Sequence, residues 1–255
     1  MTDLTVRETL ERHWPDYLKE AWGLAMFMTF ASIFTTLLEY PHSPIHQALP
    51  SQHARLAVLG LGMGIVLAGI VYSPWGQKSG AHINPAVTWA FFRVGKITLR
   101  DALFYTLAQF AGAIAAVQLM RVLIGSPYRH STINHAVTRP GPEGAWVAFG
   151  AEFVISFVLM YVVLIAVNNA RLEKWTGAIV ASLIAVYLAI ETPYSGMSLN
   201  PARTFGSAFA AQYWSSLWVY FTAPMIATWL AAELYLRVHD SHPSGVNYPV
   251  DKAEA

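Results

Sequence analysis

The sequence predicts an all-α membrane protein, with six transmembrane helices and two re-entrant half-helices in an inverted repeat. Three observations lead there. Apolar residues make up 55% of the 255-residue chain and charged residues 12%, against about 25% charged in a typical soluble domain. Six apolar stretches approach the ~20 residues that cross a hydrocarbon core. The tripeptide Asn-Pro-Ala occurs twice, at Asn84-Pro85-Ala86 and Asn200-Pro201-Ala202, 116 residues apart, and each copy opens an apolar stretch too short to cross. Paired, interrupted hydrophobic segments at corresponding positions point to a transport site at the membrane midplane.

The same composition excludes other classes. A net charge of +1 offers nothing to nucleic acid. With 0 cysteines, disulfides, thiolate metal sites and thiol nucleophiles are ruled out, and no residue cluster calls for a cofactor or metal. The first twenty residues are charged and lack an apolar h-region, so no cleavable signal peptide is expected there.

The spans are expected at Tyr17–Leu38, Ala54–Tyr72, Ala102–Ile124, Trp146–Asn168, Trp175–Ile190 and Ser216–Val238. Residues 1–16 then form a cytoplasmic N-terminal segment, 17–240 one channel domain with repeats at about 17–124 and 146–238, and 241–255 a cytoplasmic tail. The half-helices, Pro85–Val94 and Pro201–Ala210, together cover ~30 Å, one hydrocarbon core made from two halves. Taking the N-terminus, the first half-helix loop, the loop after span four and the C-terminal tail as one side, that side holds 11 Lys/Arg against 4 on the other, with Arg203 set apart. Both termini are therefore expected to be cytoplasmic. Small residues four apart (Gly60, Gly64, Ala68; Ala108, Gly112, Ala116; Gly177, Ala181, Ala185, Ala189; Ala223, Ala227, Ala231) predict close helix contacts.

Asn-Pro-Ala is helix-start chemistry in its own right. Asn is a preferred N-cap, and Pro suits the first helical position. With the Asn oxygen used as the cap, the amides of Asn84 and Asn200 are free to donate into a lumen. Two helix N-termini meeting there disfavour cations and protons. The plainer reading is two helix caps and no lumen. Broken backbone at membrane depth, however, needs water or protein to satisfy it. Glu20 and Glu152 recur near the starts of spans one and four. Three spans plus one half-helix per repeat is an odd number of crossings, so the second copy is inverted.

In SGAHINPAVTWA (79–90), SLNPARTFGSAFA (198–210), AQFAGA (108–113) and the two glutamates, the chain resembles the major intrinsic proteins, the aquaporin and glycerol-facilitator family, over residues 17–238. The resemblance implies an aquaporin-like fold with no enzymatic activity. It also implies a homotetramer in the bilayer with one pore per subunit. Arg203 becomes the charged wall of the selectivity filter, against a plain reading as a snorkelling arginine. Glu20 and Glu152 become acceptors for the re-entrant loops, against interfacial glutamates, and His82 becomes part of the inner vestibule, against a satisfied loop histidine. Leu188 stands where water-selective relatives place histidine, and Met197 takes the loop position. For span two, Leu61 is the first choice and Gly64 the second. Thr204 replaces the aspartate usual after the motif in the glycerol branch, and Tyr220-Phe221 before Ala223-Pro224 is closer to the water branch. Neither branch fits cleanly, but the resemblance is closer to the water channels. The expected function is a passive channel for water, and for small neutral solutes, that excludes ions and protons. The alternatives are a glycerol or other neutral-solute facilitator and, from another class, an ion-coupled secondary transporter. Short termini and loops fit a plasma or bacterial inner membrane.

Overall fold

The computed structural model describes residues 5–239; the expected tail, 241–255, lies outside them. Eight helices carry the architecture. They are α1 (Val6–Glu39), α2 (Gln52–Tyr72), α3 (Pro85–Arg93), α4 (Leu99–Leu123), α5 (Ala145–Val167), α6 (Thr176–Ile190), α7 (Pro201–Ala211) and α8 (Leu217–His239). Six are long and apolar enough to span, and α3 and α7 are the half-helices. Short helical turns fill several connections, among them Pro44–Ala48 and Pro74–Ser79.

Expected and observed boundaries agree within a few residues except at the N-terminus. There the helix starts at Val6 rather than Tyr17, so the described part of the expected N-terminal segment continues the first span. A capping box explains the early start: Thr5 Oγ1 accepts from Glu8 N–H while Glu8 Oε2 accepts from Thr5 N–H at 2.7 Å. Thr98 caps α4 in similar fashion, and Asp101 also accepts from Tyr17 at 2.6 Å.

Packing follows the repeat. Helix α1 lies along α4 and α5 along α8, the equivalent pair in the second repeat; α2 and α6 join the two halves. Each half-helix rests on the last span of the other repeat, α7 on α4 and α3 on α8. The small-residue stripes are where backbones approach. A Cβ built on Gly112 would stand 2.1 Å from the Ala21 carbonyl oxygen, and one on Gly60 2.3 Å from that of Ala185. Between lipid-facing helices there is little hydrophobic drive, so association depends on such close contact.

The chain runs through the bundle so that α3 returns to the face holding α1's start and α8's end. Arg93 there pairs with Glu233 and lies 5.9 Å from the Trp229 ring centre. Helix α7 returns to the opposite face. The two N-termini therefore meet inside.

Candidate functional site: a pore built from two loops

Each re-entrant loop hangs from one buried glutamate. Glu20 accepts from Ser79 Oγ (2.8 Å), His82 N–H (3.0 Å), Ile83 N–H (2.5 Å) and Gln109 Nε2 (2.8 Å). Glu152 accepts from Ser195 Oγ (2.7 Å), Ser198 N–H (2.6 Å) and Leu199 N–H (2.7 Å). Both are fully buried. A bare carboxyl at this depth is costly, and these donor sets are what make it tolerable. The reading of Glu20 and Glu152 as interfacial residues falls away.

Within a trans peptide the C=O points opposite to the N–H that follows it. With the N–H groups of residues 82, 83, 198 and 199 aimed at the glutamates, the carbonyls of Ala81, His82, Met197 and Ser198 face the other way, towards the cavity. The geometry is strained: Ala81, Ile83, Met197 and Leu199 all have positive φ, 47°, 40°, 49° and 59°. For β-branched Ile83 this is a true outlier, of the kind that persists only where surroundings over-determine it.

The Asn-Pro-Ala copies do what their residue types dictate, with one addition. Asn84 Oδ1 caps α3 through Ala86 N–H at 2.9 Å, and Asn200 Oδ1 caps α7 through Ala202 (3.0 Å) and Arg203 (3.1 Å). Their amides are not wholly free. Asn84 Nδ2 donates to the Leu199 carbonyl at 2.9 Å, and Asn200 Nδ2 to the Ile83 carbonyl at 2.8 Å. Each amide carries two hydrogens, so one ties the loops together and one remains for the lumen.

A cavity of about 160 Å3 passes these loops, room for roughly ten waters. Its wall includes Asn84, Asn200, His82, Ile83, Leu199, Met197, Leu188 and Arg203. Of the sequence-predicted filter residues, the structure brings together Arg203, Leu188 and Met197. It does not bring Leu61 or Gly64. Leu61 is 63% exposed, on the outer surface of the bundle, and a Cβ on Gly64 would meet the Ala181 carbonyl oxygen at 2.8 Å, so Gly64 is a packing contact. The cavity residues of α2 are Leu59, Met63, Leu67 and Val71. Leu59 adjoins Gly60, which sits against Ala185, less than one turn from Leu188. Two residues on a helix is a rotation of about 200°, so counting to Leu61 selects the opposite face.

Arg203 donates from Nη1 to the Ala136 carbonyl at 3.0 Å, which aims the guanidinium across the cavity. His82 lines the cavity near the other end, stacked on Phe91 at 4.6 Å with Nδ1 3.2 Å from Thr88 Oγ1. Sequence reasoning missed three supports. Tyr105 and Tyr220 hydroxyls donate to the Ser79 and Ser195 carbonyls (2.9 and 2.6 Å). Gln109, inside a stretch already noted, is the fourth donor to Glu20. The signal for the tyrosines is their matched place in the repeats, 115 residues apart.

This architecture, two half-helices capped by Asn-Pro-Ala and hung from paired glutamates, decides the family, and the sequence profile described as "Major intrinsic protein" matches residues 9–235. The chain belongs to the major intrinsic protein family. It is a multi-pass membrane protein of a family of channels, not enzymes. It is 36% identical over 174 residues, 68% of its length and 57% of theirs, to "Aquaporin NIP1-2" of Oryza sativa subsp. japonica. To "Aquaporin NIP1-2" of Arabidopsis thaliana it is 32% identical over 195 residues, 74% of this chain and 66% of that protein. The matched region thus spans about three-fifths of these curated relatives. Among solved structures it resembles the aquaglyceroporin from Plasmodium falciparum, with a TM-score of 0.75 and 21% identity, over 89% of this chain and 96% of that one. That likeness speaks to the fold.

Proposed function

We propose that this major intrinsic protein is a passive channel for water and small neutral solutes that excludes ions and protons. The observation that carries this is a single cavity passing both Asn-Pro-Ala caps, with two helix N-termini turned to its middle and Arg203 near the face to which α7 returns. That face is taken as extracellular, with both termini cytoplasmic in a plasma or inner membrane. The assembly is a homotetramer with one pore per subunit.

Each half-helix start adds about half a positive charge beside the lumen. A cation or a proton carrier meets that field while losing hydration. A neutral molecule does not, and finds the two Asn amides and the loop carbonyls as replacement partners. Among the described residues, the ionisable side chains lining the cavity are His82 and Arg203. Glu20 and Glu152 stand behind the loops, fully bonded. Among the described residues no ion-binding cluster faces the lumen, which argues against the ion-coupled transporter.

The facilitator reading is favoured by one specific feature: Arg203 shares the cavity wall with Leu59, Leu188 and Met197, all apolar. Such a wall gives a solute's carbon face a surface while Arg203 serves its hydroxyl. Proteoliposome shrinkage under sucrose, glycerol or urea tests both readings. Fast, ion-independent water flux is expected, and reswelling with glycerol assigns the facilitator role. A need for a sodium or proton gradient would sink both. Arg203→Val is expected to relax exclusion of larger or charged solutes; unchanged selectivity would remove Arg203 from the constriction.

A further inference from the structure

The two loops share a backbone course and differ most in what stands behind them. Tyr105 and Tyr220 fix the correspondence, each holding the equivalent serine carbonyl. Four residues on from Tyr105 is Gln109, an amide donor to Glu20; four on from Tyr220 is Pro224, which has no donor to give. In place of a donor, the second loop has another carboxyl. Glu191 follows the last residue of α6, is 6% exposed, and neither of its oxygens has a hydrogen-bond partner.

On balance the site disfavours an anion, although Ser195, the Met197 N–H and the start of the short helix Thr192–Ser195 pull the other way. A helix C-terminus repels negative charge, and Glu152 lies close by. The polar hydrogens within reach, the Ser195 hydroxyl and the Met197 N–H, are already committed. Ser195 donates to Glu152 at 2.7 Å, and Met197 N–H donates to Ser195 Oγ at 3.0 Å. From α8, Tyr220 faces the same spot, and Arg203 on α7 lies beyond Glu152.

We propose that Glu191 is a positioning residue of the pore's second loop, acting through Ser195 on Met197 and so on the apolar wall of the filter. Burial first, and the neighbouring Glu152 second, push its carboxyl up to about 8, outweighing Ser195 and the Met197 N–H. At neutral pH it is therefore a carboxylic acid that leaves the Ser195 hydrogen with Glu152. Once ionised it competes for that hydrogen and for the Met197 N–H. Met197, already at positive φ, then shifts into the lumen. Flux falls as pH rises through the titration.

The inference rests on the channel reading, and one experiment separates the two. Osmotic water flux of proteoliposomes holding the full chain is measured between about pH 6 and about pH 9.5, for wild type, Glu191→Gln and Glu191→Leu. Wild type should lose flux several-fold with a midpoint near 8. Glu191→Gln should keep the low-pH flux throughout. Glu191→Leu should also be flat and keep the low-pH flux, because no carboxylate then forms to compete in the loop. A flat wild type, or a pH response that survives in Glu191→Gln or in Glu191→Leu, overturns the proposal. Absence of water flux from wild type even at the acid end overturns the channel reading and this one with it.

Discussion

The two re-entrant loops share a backbone and differ in their supports. The first, Gly80–Asn84, has four donors converging on Glu20, one of them the Gln109 amide. The second, Gly196–Asn200, has three donors on Glu152 and a bare carboxyl behind it. Each loop also contacts a threonine hydroxyl of its own half-helix. His82 contacts Thr88 as Ser198 contacts Thr204, and both contacts span six residues. The difference teaches that the repeat conserves what shapes the backbone while the surroundings are free to diverge. Each loop gives its glutamate three donors of its own; the first glutamate gains a fourth from Gln109, and the second loop lies beside Arg203.

That asymmetry can be broken most forcefully at the glutamates. Glu20→Ala leaves four donors without an acceptor and Glu152→Ala three, at about 1–3 kcal/mol for each stranded group. Both variants should lose folded channel, Glu20→Ala the more severely, read as monodisperse elution after detergent extraction. Equal, mild losses would mean that the glutamates do not hold the loops. Next come the crossed amides. Asn84→Asp and Asn200→Asp keep the cap oxygen but cannot donate across the midplane, so each should cost about 1–3 kcal/mol and sharply reduce water flux. If only one variant suffers, the loops are not reciprocally tied.

Smaller effects sharpen the comparison. Gln109→Leu removes the amide donor peculiar to the first loop, and should lower the thermal midpoint by an amount matching about 1–2 kcal/mol without altering selectivity. A selectivity change would show that the first loop also reaches the filter. Leu188→His touches neither glutamate set. It should leave stability nearly unchanged while lowering glycerol flux relative to water in the reswelling assay. A loss of stability would mean that Leu188 is a core residue first.

Much of this was legible in the sequence, for physical reasons. The half-helices announce themselves because Asn and Pro have fixed jobs at a helix start. Glu20 and Glu152 stand out because a carboxyl in an apolar span demands an explanation. Gly60 and Gly112 stand out because their spacing puts them on one helix face. The register of α2 was not legible. That helix is apolar all round, so no polar stripe marks the lumen side, and the turn at Pro74–Ser79 absorbs residues that a simple count assigns to a loop. The choice of Leu61 and Gly64 over Leu59 follows from that. The role of Glu191 was hidden differently. It lies just past a span, outside every motif, and its burial and unpartnered oxygens appear only in the folded chain.

The crossed bonds have a consequence for how the chain is made. Asn84 donates to a carbonyl 115 residues later, and Asn200 to one 117 residues earlier. When the ribosome has released α1 to α4, the first hairpin's Ile83 carbonyl and Asn84 amide still lack the partners that let bare backbone rest in oil. The first half must wait at the membrane surface or in the shelter of the insertion machinery until Leu199 and Asn200 arrive. Closure of this pore belongs to the end of synthesis, and a chain truncated before residue 199 should insert its spans without ever forming a lumen.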